Sequence, residues 1–189
     1  MSTNIEIKAS VPDLASTRAK AGSLASGPAE IIDQTDTFFV VSQGRLKVRT
    51  FADGSGELIA YERADDQGPK QSTYTRVECR DATALSAALA RVLPVRGIVV
   101  KRREVFLSGR TRIHLDVVEN LGSFVELEVV LAADESPENG QQEARDLIAS
   151  LQIPATALVP EAYIDLLERQ AASRPSAGSG GSIVPGKER

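Results

Sequence analysis

The chain reads as an α+β protein built on an eight-stranded antiparallel β-barrel, a tunnel with a charged interior and helices on its outside. Three observations lead there. Eight segments alternate apolar and polar residues at period 2, as strands with two different faces do. Most are joined by short turns, which antiparallel neighbours allow. In several the polar face repeats charges at i, i+2: Glu6 with Lys8, Lys47 with Arg49, Lys101 with Arg103, Glu126 with Glu128. One such strand alone is best read as half of a wet sheet. The same pairing on strand after strand, with both signs present, points to a shared inner surface. Eight antiparallel strands close into a barrel wide enough for a small ligand.

The elements follow in order. Residues 3–11 form the first strand, with Ile5 and Ile7 on one face and Asn4, Glu6 and Lys8 on the other. Pro12-Asp13 opens a helix, because proline suits a first turn and aspartate the positive helix end. It runs to about Ala25 with Leu14, Ala21, Leu24 and Ala25 inward, and Ser26-Gly27-Pro28 ends it. Residues 29–42 are the second strand and contain Gln34-Thr35-Asp36-Thr37-Phe38-Phe39. After the turn Ser42-Gln43-Gly44, residues 45–52 set Lys47 and Arg49 against Leu46 and Val48. Asp53-Gly54 marks a hairpin, since it supplies the positive φ angles of tight turns. Residues 57–63 are the fourth strand, with Glu62 on the polar face. A loop from Ala64 to Lys70 leads to a fifth strand, 71–79, where Tyr74, Arg76 and Glu78 share a face and Cys79 packs.

Asp81 begins a second helix in which Leu85, Ala88, Leu89 and Val92 recur at amphipathic spacing, and Pro94 stops it. Residues 95–107 are the sixth strand. After Ser108-Gly109, residues 110–119 set Thr111, Ile113, Leu115 and Val117 against Arg110, Arg112, His114 and Asp116. The turn Glu119 to Gly122 leads into the eighth strand, 122–131. Its two faces carry Val125, Leu127, Val129 and Leu131, and Phe124, Glu126, Glu128 and Val130. Residues 139–151 are helical. Residues 161–170 form a closing helix with Tyr163, Leu166 and Leu167 inward. Residues 1–170 are thus one domain, and 171–189, rich in Ser, Gly and Pro, are expected to be a disordered tail.

Composition narrows the function. The 189 residues are 42% hydrophobic and 25% charged, with net charge −4. No clustered basic excess points to nucleic acid. No apolar run approaches the roughly 20 residues of a membrane span, and the N-terminus has no signal-peptide pattern. With one cysteine, a cytoplasmic protein is expected. The single His114 excludes a His-rich metal cluster, so any metal is expected to be a hard cation on carboxylates, Mg²⁺ or Mn²⁺.

The expected bore holds Lys8, Lys47, Arg49, Arg76, Lys101, Arg103 and Arg112, together with Glu6, Glu62, Glu78, Asp116, Glu126 and Glu128. Enclosing so many charges is costly unless they are paired, hydrated or neutralised by a ligand. The cations suit a polyphosphate, Arg as a planar fork and Lys as a point charge. The carboxylates suit a divalent ion that bridges to phosphates. His114 reads as a tunnel-wall residue or a proton-transfer group beside Asp116. Tyr163 reads as a core contact or as a stopper at one mouth.

The ordered set of motifs resembles the CYTH superfamily, the triphosphate tunnel metalloenzymes. These include class IV adenylate cyclases, thiamine triphosphatases and inorganic triphosphatases. The family's N-terminal Glu-x-Glu-x-Lys strand is matched by Asn4-Ile5-Glu6-Ile7-Lys8, with Asn4 in place of the first glutamate. Further matches are Gln34-x-Asp36-x-Phe38-Phe39, Lys47-Val48-Arg49, Tyr74-x-Arg76-x-Glu78 and Lys101-Arg102-Arg103-Glu104-Val105-Phe106. Arg112 to Asp116, Leu121 to Glu128 and Ala162 to Leu167 complete the set, which spans about residues 3–168. Lys101 to Phe106 with Leu121 to Glu128 is most similar to the class IV cyclase branch. Glu62 departs from the family, standing where many relatives carry lysine.

The resemblance implies a metal seat of Glu6, Glu126 and Glu128, with Asn4 or Asp116 as helpers. It implies triphosphate binding by Lys8, Lys47, Arg49, Arg76, Lys101, Arg103 and Arg112, of which Lys8, Lys101 and Arg103 serve catalysis. The implied activity is a class IV adenylate cyclase reaction, ATP to cyclic AMP and pyrophosphate. The alternative is hydrolysis of tripolyphosphate, thiamine triphosphate or a nucleoside triphosphate, and a third reading is a non-catalytic polyphosphate or nucleotide binder. A homodimer is compatible with all three.

Overall fold

A computed structural model of the chain describes residues 2–63 and 68–173. Eight strands are present: β1 (Ser2–Ser10), β2 (Glu30–Phe39), β3 (Arg45–Phe51), β4 (Gly56–Arg63), β5 (Lys70–Cys79), β6 (Val95–Ser108), β7 (Thr111–Val118) and β8 (Gly122–Val130). They close into a barrel in the order β1-β5-β4-β3-β2-β6-β7-β8. All neighbours are antiparallel, and β1 joins β5 on one side and β8 on the other. Four helices lie outside: α1 (Leu14–Leu24), α2 (Ala82–Ala90), α3 (Pro137–Ser150) and α4 (Tyr163–Ser173). Among the described residues, no helix is long and apolar enough to cross a membrane.

The outward faces make the core. Ile5 and Ile7 of β1, Ile113 and Leu115 of β7, and Val125, Leu127 and Val129 of β8 are buried against Ala21 of α1 and Ala144 and Ile148 of α3. Burying each large side chain contributes roughly 1.5–3 kcal/mol. Across the barrel, α2 covers Phe39 and Val48. Helices α1 and α2 start where short polar side chains satisfy exposed amides. Asp13 accepts from the Ser16 amide at 3.0 Å and Asp81 from the Ala84 amide at 2.8 Å.

The fourth helix closes one end of the barrel. Ile164 packs onto β6 at Gly97, where a Cβ would stand 2.5 Å from its Cδ1, so a larger residue there would make the Ile164 side chain shift. Arg96 holds α4 by bonds to Asp165 and Glu168, and Arg45 adds a 3.2 Å bond to Asp165.

Three expectations change. Val92 is 75% exposed; Leu93, beyond the end of α2, packs in its place. The closing helix runs to Ser173, so residues 171–173 are ordered helix; the rest of the expected tail, 174–189, lies outside the described residues, as do residues 64–67 of the β4–β5 loop. Glu62 faces outward and is exposed, while Tyr61 and Ile59 face the bore. The register requires it: Ile59 lies opposite Lys47, and Tyr61 opposite Tyr74, both bore residues.

Candidate functional site

The bore holds a cavity of about 140 Å³. Its walls differ in charge. Strands β1 and β8 form an acidic wall with Glu6, Glu126 and Glu128, Glu6 lying opposite Glu128 and Lys8 opposite Glu126. Strands β3, β5 and β6 contribute Lys47, Arg49, Arg76, Lys101 and Arg103.

Two buried aspartates organise the basic wall. Asp36 accepts from Lys47 Nζ at 2.7 Å, from Arg49 Nε at 2.9 Å, and from the Gln34 amide at 3.3 Å. Asp116 accepts from Arg103 Nε and Nη2, each at 2.6 Å, and from Lys101 Nζ at 3.1 Å. Burial works against ionising Asp36, but Arg49 and Lys47 hold its carboxyl below the usual range. Burial likewise opposes ionisation of Asp116, and Arg103 and Lys101 overcome it. The same desolvation acts on the cations. It pushes Lys47 down to about 8 against the pull of Asp36, and it lowers Lys101 with help from nearby Arg103.

At the acidic wall, burial disfavours charged Glu126, and Lys8 and Arg103 reverse that, holding it below the ordinary range. Arg103 Nη2 bonds it at 3.3 Å. Glu128 is bonded by Arg112 Nη1 at 3.1 Å and by the Asn4 amide nitrogen. His114 is buried beside it, and desolvation drops its imidazole to about 3, so it is neutral.

The end under α4 is the floor. Lys8 Nζ donates to the Glu161 carbonyl at 3.1 Å and Lys70 Nζ to the Pro160 carbonyl at 2.5 Å. The Tyr163 ring lies under Lys8 at 4.0 Å and Lys101 at 4.9 Å, and its hydroxyl donates to Asp116 at 2.9 Å. The tyrosine is thus both packed and a stopper.

Of the residues singled out from sequence, Asn4, Glu6, Lys8, Lys47, Arg49, Arg76, Lys101, Arg103, Glu126 and Glu128 line one cavity. Arg112 stands at its edge on Glu128. Asp116 is engaged as the partner of two cations and a tyrosine. Glu62 points away, and Glu78 is exposed at the barrel rim opposite Glu57, because β5 runs out of the bore there. His114 has the wall position expected, though without a hydrogen bond to Asp116. Sequence reasoning missed Asp36 as a bore acid, and Glu57, which pairs with Arg49 and Arg76 at 3.6 and 3.4 Å. The signal for Asp36 was its alternation with Thr35 and Thr37 on β2.

The donor set can be tested against a divalent ion. As the side chains stand, Glu6, Glu126 and Glu128 do not converge, and no three His, Cys, Asp or Glu among the described residues form a ready cluster. Mg²⁺-like ions need no such cage: they take one or two carboxylates and complete their shell with water and substrate phosphate. Glu6 and Glu128 supply that, and beside them the buried Asn4 Oδ1 has no partner. An oxygen-rich wall with an orphaned carbonyl fits a divalent cation.

Residues 2–163 match the family model of the CYTH domain. No curated protein matches the chain. Among solved structures it is similar to the PH1012 protein of Pyrococcus horikoshii OT3, with TM-score 0.75 and 25% identity over 86% of this chain and 98% of that one. It is also similar to a candidate adenylate cyclase of Vibrio parahaemolyticus, with TM-score 0.69 and 16% identity over 87% and 97%. A third is HpAC1 of Hippeastrum, a candidate adenylyl cyclase reported with a dominant triphosphatase activity, with TM-score 0.64 and 15% identity over 92% and 98%. At those two lower identities the likeness is one of fold. By the match over residues 2–163, the chain belongs to the CYTH domain family.

Proposed function

We propose that this chain is a divalent-metal-dependent triphosphatase: it binds a linear triphosphate in the bore and hydrolyses a phosphoanhydride bond. The observation that carries this reading is the cavity of about 140 Å³ between a basic wall and an oxygen-rich acidic wall. That volume is on the order of one that holds a benzene-sized guest. It suits phosphate groups, and an organic part of the substrate would lie toward the open mouth. Tripolyphosphate, thiamine triphosphate and ATP all present the same chain.

In this reading Lys47, Arg49, Lys101 and Arg103 bind the phosphate oxygens, with Arg76 and Arg112 at the edge and Lys8 at the floor. Their positions are fixed beforehand by Asp36 and Asp116, so little reorganisation accompanies binding. Glu6 and Glu128, with Asn4, would hold Mg²⁺ or Mn²⁺, and Glu126 orients Lys8 and Arg103. When bound, the ion would neutralise phosphate oxygens and make a nearby water more acidic. A water oxygen forms the new bond to the terminal phosphorus while the bridging P–O bond breaks. The leaving phosphate oxygen departs next to Lys101 and Arg103, which stabilise its charge.

The second reading is a class IV adenylate cyclase, in which the ATP 3′-hydroxyl attacks the α-phosphate and pyrophosphate leaves. The run Lys101 to Phe106 with Leu121 to Glu128 favours it. Incubating the protein with tripolyphosphate and with ATP, each with Mg²⁺ or Mn²⁺, separates the two. Orthophosphate from either substrate supports hydrolysis. Cyclic AMP with pyrophosphate supports the cyclase, and binding without products supports neither.

A further inference from the structure

Burial along β5 shows where the bore opens. Lys70, Ser72, Tyr74, Arg76 and Glu78 share one face of that strand by alternation. Lys70 is 7% exposed and Ser72 2%. Tyr74 is half-buried, the Arg76 side chain is 43% exposed, and Glu78 lies in the open. The buried end sits under α4, where Lys70 bonds the Pro160 carbonyl. The other end is the mouth. A phosphate chain held in the bore therefore carries its organic part out beside Tyr74 and Arg76.

At that mouth stands a layered pair. The Arg76 guanidinium carbon lies over the Tyr74 ring, 5.4 Å from its centroid, within the roughly 6 Å reach of a cation–π contact. Nη1 of Arg76 is also 3.4 Å from Glu57 Oε1, which fixes one edge of the group. Tyr61, opposite Tyr74 on β4, faces the same bore. Lys47 and Arg49 are held by Asp36, and Lys101 and Arg103 by Asp116. Among the described residues Arg76 bonds neither aspartate, and it is more exposed than any of those four. A guanidinium is planar, weakly hydrated and stacks on π systems. Nucleobases stack on aromatic rings and on guanidinium planes alike.

We infer that Arg76, backed by Tyr74, seats a nucleobase at the mouth of the bore, so that the triphosphate taken in is that of a nucleoside. The inference rests on the proposed triphosphate reading and names what lies beyond the phosphates. The layers run Tyr74 ring, Arg76 guanidinium, base. Arg76 touches the base, and Tyr74 positions Arg76. An uncharged base suits this seat better than a cationic ring such as that of thiamine, which would meet the guanidinium charge directly.

ATP and ribose 5′-triphosphate carry the same triphosphate ester and differ only by the base. Calorimetric titration of the full chain compares them, with a chelator present so that neither is turned over. The natural chain should bind ATP about ten-fold more tightly, within the range for one stacked base. Arg76→Lys keeps the charge and removes the plane, and should bring that preference below about three-fold. Tyr74→Leu should reduce it in the same direction, and thiamine triphosphate should bind the natural chain more weakly than ATP. Equal binding of ATP and ribose 5′-triphosphate by the natural chain overturns this inference and leaves the triphosphate reading standing. A full preference retained in Arg76→Lys, or thiamine triphosphate bound as tightly as ATP, overturns it too. No binding of either ligand or of tripolyphosphate, with Mg²⁺ or without, overturns both. The natural chain decides even if a variant folds poorly.

Discussion

Tyr163 donates its phenolic proton to Asp116 at 2.9 Å, to the same carboxylate oxygen that accepts from Lys101 at 3.1 Å. The closing helix is therefore bonded into the site, and the floor of the bore and the phosphate-facing cations share one anchor. Burial and the facing Asp116 raise the phenol well above its ordinary range, so it remains a donor. Tyr163→Phe keeps the ring under Lys8 and Lys101 and removes the donor. It should lower stability by about 1.5–3 kcal/mol, the range for a hydrogen bond to a charged group. Tyr163→Ala should cost about 3–5 kcal/mol. Urea unfolding followed by circular dichroism measures both; equal losses would contradict the support given by the ring.

Asp36 holds Lys47 and Arg49 in the absence of ligand. Asp36→Asn leaves two buried cations without their acid, and breaking such a pair costs about 3–5 kcal/mol. A triphosphate can replace the lost charge. Tripolyphosphate should therefore raise the melting temperature of Asp36→Asn more than that of the natural chain. A smaller rise in the variant would show that Asp36 and the ligand do not share these cations.

Lys47 gives the binding a pH limit. It faces Asp36 on β2, Arg49 on its own strand and Lys101 on β6, with the rings of Phe38 and Tyr61 at 5.3 and 5.9 Å. Its folded value of about 8 lies below the ordinary 10.5. Between those values the unfolded chain binds more protons, so this group's contribution to stability rises with pH across the window. Ligand binding has the opposite sign, because a phosphate needs the charged amine. Affinity for tripolyphosphate should fall about ten-fold or more from pH 7 to pH 9.5, the loss of one charge-assisted bond. Lys47→Arg, which stays charged, should flatten the profile. A natural-chain profile as flat as that of Lys47→Arg would exclude Lys47 from the phosphate site.

Metal removal should abolish turnover without unfolding the barrel, since the outer core is built from Ile113, Leu127 and their neighbours and not from the bore. Glu128→Gln should lower kcat/KM on the order of 100-fold or more, because it removes charge from the ion's seat. Circular dichroism before and after chelation checks the fold, and phosphate release checks the activity.

The barrel was legible where the two faces of a strand contrast. On β8, Val125, Leu127 and Val129 oppose Glu126 and Glu128, and both sets lie where the alternation puts them. On β4 the contrast fails: Leu58 and Ala60 oppose Ile59 and Tyr61, so both faces are apolar and the alternation does not show that Glu62 faces outward. The roles of Asp36 and Asp116 were hidden for a different reason. Each depends on strand register, Asp36 opposite Arg49 and Asp116 opposite Arg103, and no local pattern carries that information. Tyr163 likewise reads as an ordinary inward helix residue until Asp116 is placed beneath it.

The central claim, that the bore binds and cleaves a linear triphosphate, is tested most directly by ³¹P NMR of tripolyphosphate with Mg²⁺ and the full chain. The account predicts that the tripolyphosphate resonances decay while orthophosphate and pyrophosphate appear together, and that Arg103→Ala stops the decay. Tripolyphosphate that stays intact, with resonances unperturbed by the protein, would contradict it.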